Sequence, residues 1–135
     1  MHLIAEAKDK ASLCRGIKGL QVRLARRLNV LFGRSGRLFG DRYHARALAT
    51  PREVRHALAY VLLNHRKHAH QSGRALPRAL DACSSAYHFD GWSRAPRGLV
   101  HDDGPAPIVP ANVWLLSSGW KRHGLIALDE VPAAR

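Results

Sequence analysis

The chain has 135 residues, 46% of them hydrophobic, with 22 Lys and Arg against 10 Asp and Glu, a formal charge of +12. That length holds one domain, or one domain with a tail, around a modest core. The longest apolar run, Ala57 to Leu63, is too short to span a bilayer, and Cys14 and Cys83 form neither a zinc spacing nor a disulfide framework. A soluble intracellular protein of the reducing cytoplasm is the expectation. The charge is unevenly placed: residues 1–80 carry 17 basic and 4 acidic side chains, residues 81–135 carry 5 and 6. A basic first part beside a neutral remainder points to a polyanionic partner, nucleic acid ahead of an acidic membrane surface.

In chain order, His2 to Ala7 reads as a short strand. A helix follows from about Ser12 to Phe32, in which Leu13, Ile17, Leu20, Leu24, Leu28 and Leu31 share one sector at 100° per residue. Arg15, Lys18 and Arg26 fall on the far side and Arg23 and Arg27 on the flank. No acidic residue occurs between Lys10 and Arg37, so the usual mixed-sign i,i+4 pairing is missing. Phosphate contact and plain solvation of that face both remain open. Gly33-Arg34-Ser35-Gly36 supplies turn chemistry, and Arg37 to Leu48 reads as extended, with Gly40 at a bulge or bend.

Thr50-Pro51-Arg52-Glu53 is a strong helix start, with a capping threonine, a proline at the first position and a glutamate to close the box. This second helix is expected to run to about His70. Past Pro77 the pattern is loop-like, apart from a short helix expected over about 111–123 and closed by Gly124. Strand, helix, strand, helix predicts an α+β or α/β fold with too few strands to complete a sheet.

On the second helix Val54, Leu58, Val61 and Leu62 share the apolar face. Tyr60 and Asn64 lie outside it, in a row with His56 and His68 at steps of four. A tyrosine at the rim of a core and a solvated asparagine would account for the pair. So would chemistry: a phenol can attack a phosphodiester, and an amide oxygen with a histidine can hold the divalent cation that neutralises the phosphate. Of the aromatic residues, Tyr87, Phe89, Trp92, Trp114 and Trp120 suggest a small second cluster, and Tyr43 is the better candidate for stacking on bases.

Ordered motifs extend this reading. His2-Leu3-Ile4-Ala5-Glu6-Ala7, Gly16-Ile17-Lys18-Gly19-Leu20, Arg23 to Asn29, Gly36 to Arg46, Thr50 to Val54 and Tyr60-Val61-Leu62-Leu63-Asn64 together resemble the single-tyrosine HUH transposases. The closest likeness is to the REP-associated tyrosine transposases of bacterial mobile elements. The likeness covers roughly residues 2–70, and Phe89-Asp90-Gly91-Trp92 and Gly119 to Gly124 resemble the tail of one branch.

The resemblance implies a ferredoxin-like α+β domain over 1–76, an antiparallel sheet with helices on one face, and an irregular tail over 77–135. It implies Tyr60 as a nucleophile forming a 5′-phosphotyrosine with DNA, and His2 and Asn64 as ligands of Mg²⁺ or Mn²⁺. Arg15, Lys18, Arg23, Arg26, Arg27 and Arg42 would contact the backbone of single-stranded or hairpin DNA, giving affinity rather than sequence choice. A homodimer is compatible with it. The family's paired histidines have only their second member here, and its first strand, first helix and second strand have no counterpart. The domain is therefore expected to be truncated at its N-terminus through a late start, gene decay or a missing part supplied by a partner, with cleavage impaired and a non-catalytic DNA-binding remnant as the alternative.

Overall fold

The computed structural model describes residues 1–40, 43–96 and 107–133. Helix α1 (Lys10–Leu31) occupies the longest periodic stretch. Asp9 caps it by accepting a 2.7 Å hydrogen bond from the Ser12 amide, which satisfies a donor that the first turn would otherwise orphan. Beyond its far end Gly33 and Gly36 take φ of 58° and 91°, the left-handed region open to glycine, and Asn29 Nδ2 donates to the Gly36 carbonyl over 2.8 Å. Tyr43 donates its hydroxyl to Cys14 Sγ at 2.9 Å, and that donation holds the phenol above its ordinary pKa. The leucine stripe is not a closed core, since no residue of α1 is buried. Residues 5–47 form one compact unit; residues 1–4 and 48–135 form a second.

In the second unit, helix α2 (Pro51–Leu62) starts with the full capping box. Thr50 Oγ1 accepts from the Glu53 amide, and Glu53 Oε2 accepts from the amides of Ala49 and Thr50. Helix α3 (Asn64–Gln71) continues after a break confined to Leu63, whose backbone sits at φ −113° and ψ 20°. The Leu63 carbonyl accepts from both Arg66 and Lys67, so hydrogen bonding resumes at once. Later elements are a 3-10 turn over Ser85–His88, the single-turn helix α4 (Trp114–Ser117) and a 3-10 turn over Gly119–His123. The expected 111–123 helix is thus two short pieces, ended by Gly124 at φ 85°.

Val54, Leu58, Ala59 and Leu62 form the buried face of α2 and, with Leu63 at the break, pack with Ala86, Trp92, Trp120 and Ile126 in one core. Each large side chain buried there contributes about 1.5–3 kcal/mol. Trp92 and Trp120 are core residues rather than a satellite cluster. Their indole N–H groups donate to the carbonyls of Ala86 and Leu116, which removes the cost of burying them unpaired. Phe89 lies between them, edge-on to Trp92 and stacked on Trp120 at 5.5 Å. Gly91 is required at this point, because a Cβ there would collide with the Phe89 and Trp120 rings.

Two arginines fasten the later chain to the helices. Arg55 makes a bidentate pair with Glu130, both contacts 2.9 Å, and donates to the carbonyls of Gly124 and Leu125. Arg66, buried, donates to the carbonyls of Pro77, Asp129 and Glu130.

The expected ferredoxin-like α+β sheet is not there. Among the described residues there is no strand, only an isolated parallel bridge between Trp92 and Ile126. Residues 2–7 and the described part of 37–48 are irregular. Neither segment pairs with the other, and an extended segment without a ladder partner leaves its amides and carbonyls to water and gains no sheet stability.

The Arg55 guanidinium holds the Glu130 carboxyl below its ordinary pKa. A depressed carboxylate pKa adds stability above the unfolded value, lost as pH falls through the folded one. Glu130→Gln is therefore expected to cost about 1–3 kcal/mol at neutral pH and to flatten the loss of stability below about pH 4.3, read by urea unfolding at a series of pH values.

Candidate functional site around Tyr60

Tyr60 stands in the last turn of α2, half-buried and off the Val54–Leu58–Leu62 stripe. Ile4 packs against the core, and this anchor carries His2 to the tyrosine. The two rings meet edge to face at 4.9 Å between centroids, with His2 Nε2 3.4 Å from the phenolic oxygen. Lys67, from α3, places its ammonium 4.4 Å from the centre of the Tyr60 ring. A cation against a ring face is attracted by the ring quadrupole.

The His2 imidazole is held below its ordinary pKa by partial desolvation, then by the chain's N-terminal ammonium, His68 and Lys67. It is accordingly neutral at pH 7, with a lone pair to offer. Asn64 opens α3 one residue beyond the break, and its Oδ1 is buried without a hydrogen-bond partner. Such an orphaned acceptor costs about 1–3 kcal/mol in an apolar setting and invites a ligand. Nearby, His65 is turned inward, its Nε2 3.3 Å from the Ala79 carbonyl and its Nδ1 unpaired. His56 and His68 are exposed on the same row.

The structure thus brings His2 to Tyr60 and leaves Asn64 Oδ1 as an unsatisfied acceptor one turn along. An imidazole nitrogen and one neutral amide oxygen are a sparse donor set for Mg²⁺ or Mn²⁺, which favour oxygen ligands and complete their shell with substrate phosphate. Among the described residues no three His, Cys, Asp or Glu side chains group to hold a metal. A cation here would need its charge balanced by the phosphate that accompanies it. The His2 lone pair can serve the phenol or a cation, one at a time.

Arg15, Lys18, Arg23, Arg26 and Arg27 are all exposed on α1, in the other compact unit. Arg42 lies outside the described residues. His44 is exposed in that same unit. Sequence reasoning did not single out Lys67, Arg55 or Arg66. The available signal was spacing, since Lys67 falls one turn after Asn64 and seven residues after Tyr60, a helical repeat that returns to the same face. No described helix is long and apolar enough to cross a membrane. Compared with known proteins, the chain matches no family model, no curated protein and no solved structure.

The His2 value bears on pH. A depressed folded pKa means a contribution present above 6.5 and lost as pH falls through the folded value. An NMR titration should show a His2 midpoint below 6.5, with the His2–Tyr60 ring contacts fading as it protonates; a midpoint at or above 6.5 contradicts the geometry.

Proposed function

We propose that the chain is a transposase-like protein that binds single-stranded or hairpin DNA and cleaves and rejoins a strand through Tyr60. The observation that carries this reading is the Tyr60 hydroxyl beside a neutral His2, with the orphaned Asn64 oxygen one turn away. The phenolic oxygen attacks phosphorus as its proton passes to solvent. An O–P bond to tyrosine forms, the bond from phosphorus to the 3′ oxygen breaks, and that oxygen leaves as a 3′-hydroxyl after gaining a proton. The strand stays joined by a 5′-phosphotyrosine, and reversal by a 3′-hydroxyl rejoins it. His2 and Asn64 are the residues that would hold Mg²⁺ or Mn²⁺, which as a Lewis acid draws charge off the phosphate.

The exposed cations of α1 support a second reading, DNA binding without cleavage. Six basic side chains on one helix with no acidic residue within it make an electrostatic footprint for backbone phosphates.

Incubation with single-stranded hairpin DNA and Mn²⁺ or Mg²⁺ separates the two. A covalent protein–DNA adduct present with the unaltered chain and lost in Tyr60→Phe is the expected result. Equal gel shifts with no adduct would leave binding alone. Changing Arg23, Arg26 and Arg27 to Gln is expected to weaken binding across sequences and to lower the salt slope by about 1 per contact removed; an unchanged slope would remove α1 from the interface.

A further inference from the structure

We propose that Lys67 is an anion-holding residue that receives a phosphate oxygen beside Tyr60. Lys67 is only 9% exposed, and its ammonium has no ion pair or hydrogen bond among the described residues; its contact is the Tyr60 ring at 4.4 Å. The aliphatic stem is packed away while the ammonium keeps access to water, and the ring face holds it in place. Its neighbour Arg66 is the internal contrast: equally covered, its guanidinium is taken up by three backbone carbonyls. Lys67 is the positioned cation left open to a ligand.

The same lysine lines an open cleft of about 280 Å³ with His70, Gln71 and the Val131–Ala133 segment. A cation, an imidazole and a carboxamide over a Val-Pro floor suit a tetrahedral oxyanion. An apolar ligand would leave three polar groups without water. The phosphate could be free or part of a strand. Its identity as DNA rests on the function proposed above; the anion chemistry does not.

Isotope-labelled protein titrated with inorganic phosphate, in parallel with a short oligothymidylate, tests this by NMR. Phosphate should give saturable shifts at Lys67, His70 and Gln71, absent in Lys67→Met and retained in Lys67→Arg. The α1 variant with Arg23, Arg26 and Arg27 changed to Gln should keep them. The oligonucleotide should bind Lys67→Met roughly tenfold or more weakly, the loss expected for a charge-assisted hydrogen bond. Saturable shifts unchanged in Lys67→Met, or shifts that chloride reproduces at equal ionic strength, would overturn the proposal. Should the Met variant fail to fold, the Lys67 Nζ resonance of the unaltered protein decides, by moving or not moving with phosphate. An adduct at Tyr60 without phosphate shifts would sink this inference and leave the proposed function standing; phosphate shifts without an adduct would do the reverse.

Discussion

Arg55 and Arg66 reach the same stretch of backbone from opposite sides of the break at Leu63. Arg55, on α2, takes Gly124, Leu125 and the Glu130 carboxylate; Arg66, on α3, takes Asp129, Glu130 and, from the preceding loop, Pro77. A guanidinium offers five N–H donors in a rigid planar fork, so each arginine fixes direction as well as distance. Because both hold residues 124–130, the angle between α2 and α3 is set by a segment sixty residues further on. Tyr60 stands before the break, Asn64 and Lys67 after it. Their mutual placement therefore depends on the clasp as much as on helical geometry.

The clasp also redistributes the meaning of the positive charge. Counted along the sequence, residues 48–80 belong to the basic first part of the chain. In the folded second unit two of those cations are bound to carbonyls and a carboxylate, and a third lies against a tyrosine. Exposed charge remains on both units: Arg52, Arg74 and Arg78 stay open to solvent in the second, and α1 carries its cations on a helix that buries nothing. One unit has the Tyr60 hydroxyl beside His2 and the other has the basic helix α1.

Local chemistry was the legible part. Thr50, Pro51 and Glu53 announce the start of α2, Gly124 announces the end of the last turn, and the leucine period announces α1, because caps and periodicity act within a few residues of where they are written. The break at Leu63 was not legible, since Leu-Leu-Asn contains no glycine or proline. Neither was the role of Arg55 and Arg66, whose partners, Pro77 apart, lie more than sixty residues away. The sheet was misjudged for a related reason. Extended character in 2–7 and 37–48 is a local preference, but a strand exists only with a neighbour to pair with, and no local signal supplies one. For the candidate site, Tyr60, Asn64 and His2 could be named from spacing and motif order. The packing of Ile4 on the core, which brings His2 across, depends on residues far along the chain and leaves no local mark.

All three tryptophans, Trp92, Trp114 and Trp120, belong to the unit built on α2, and residues 5–47 contain none. Indole fluorescence is thus blind to α1, while far-UV circular dichroism sees both units, with 22 α-helical residues in α1 and 24 in α2, α3 and α4 together. A helix that buries no side chain relies on caps and intrinsic propensity, so the second signal includes a body with a different source of cohesion. Superimposable melting curves would mean that the units unfold together, and separated ones that each has its own transition.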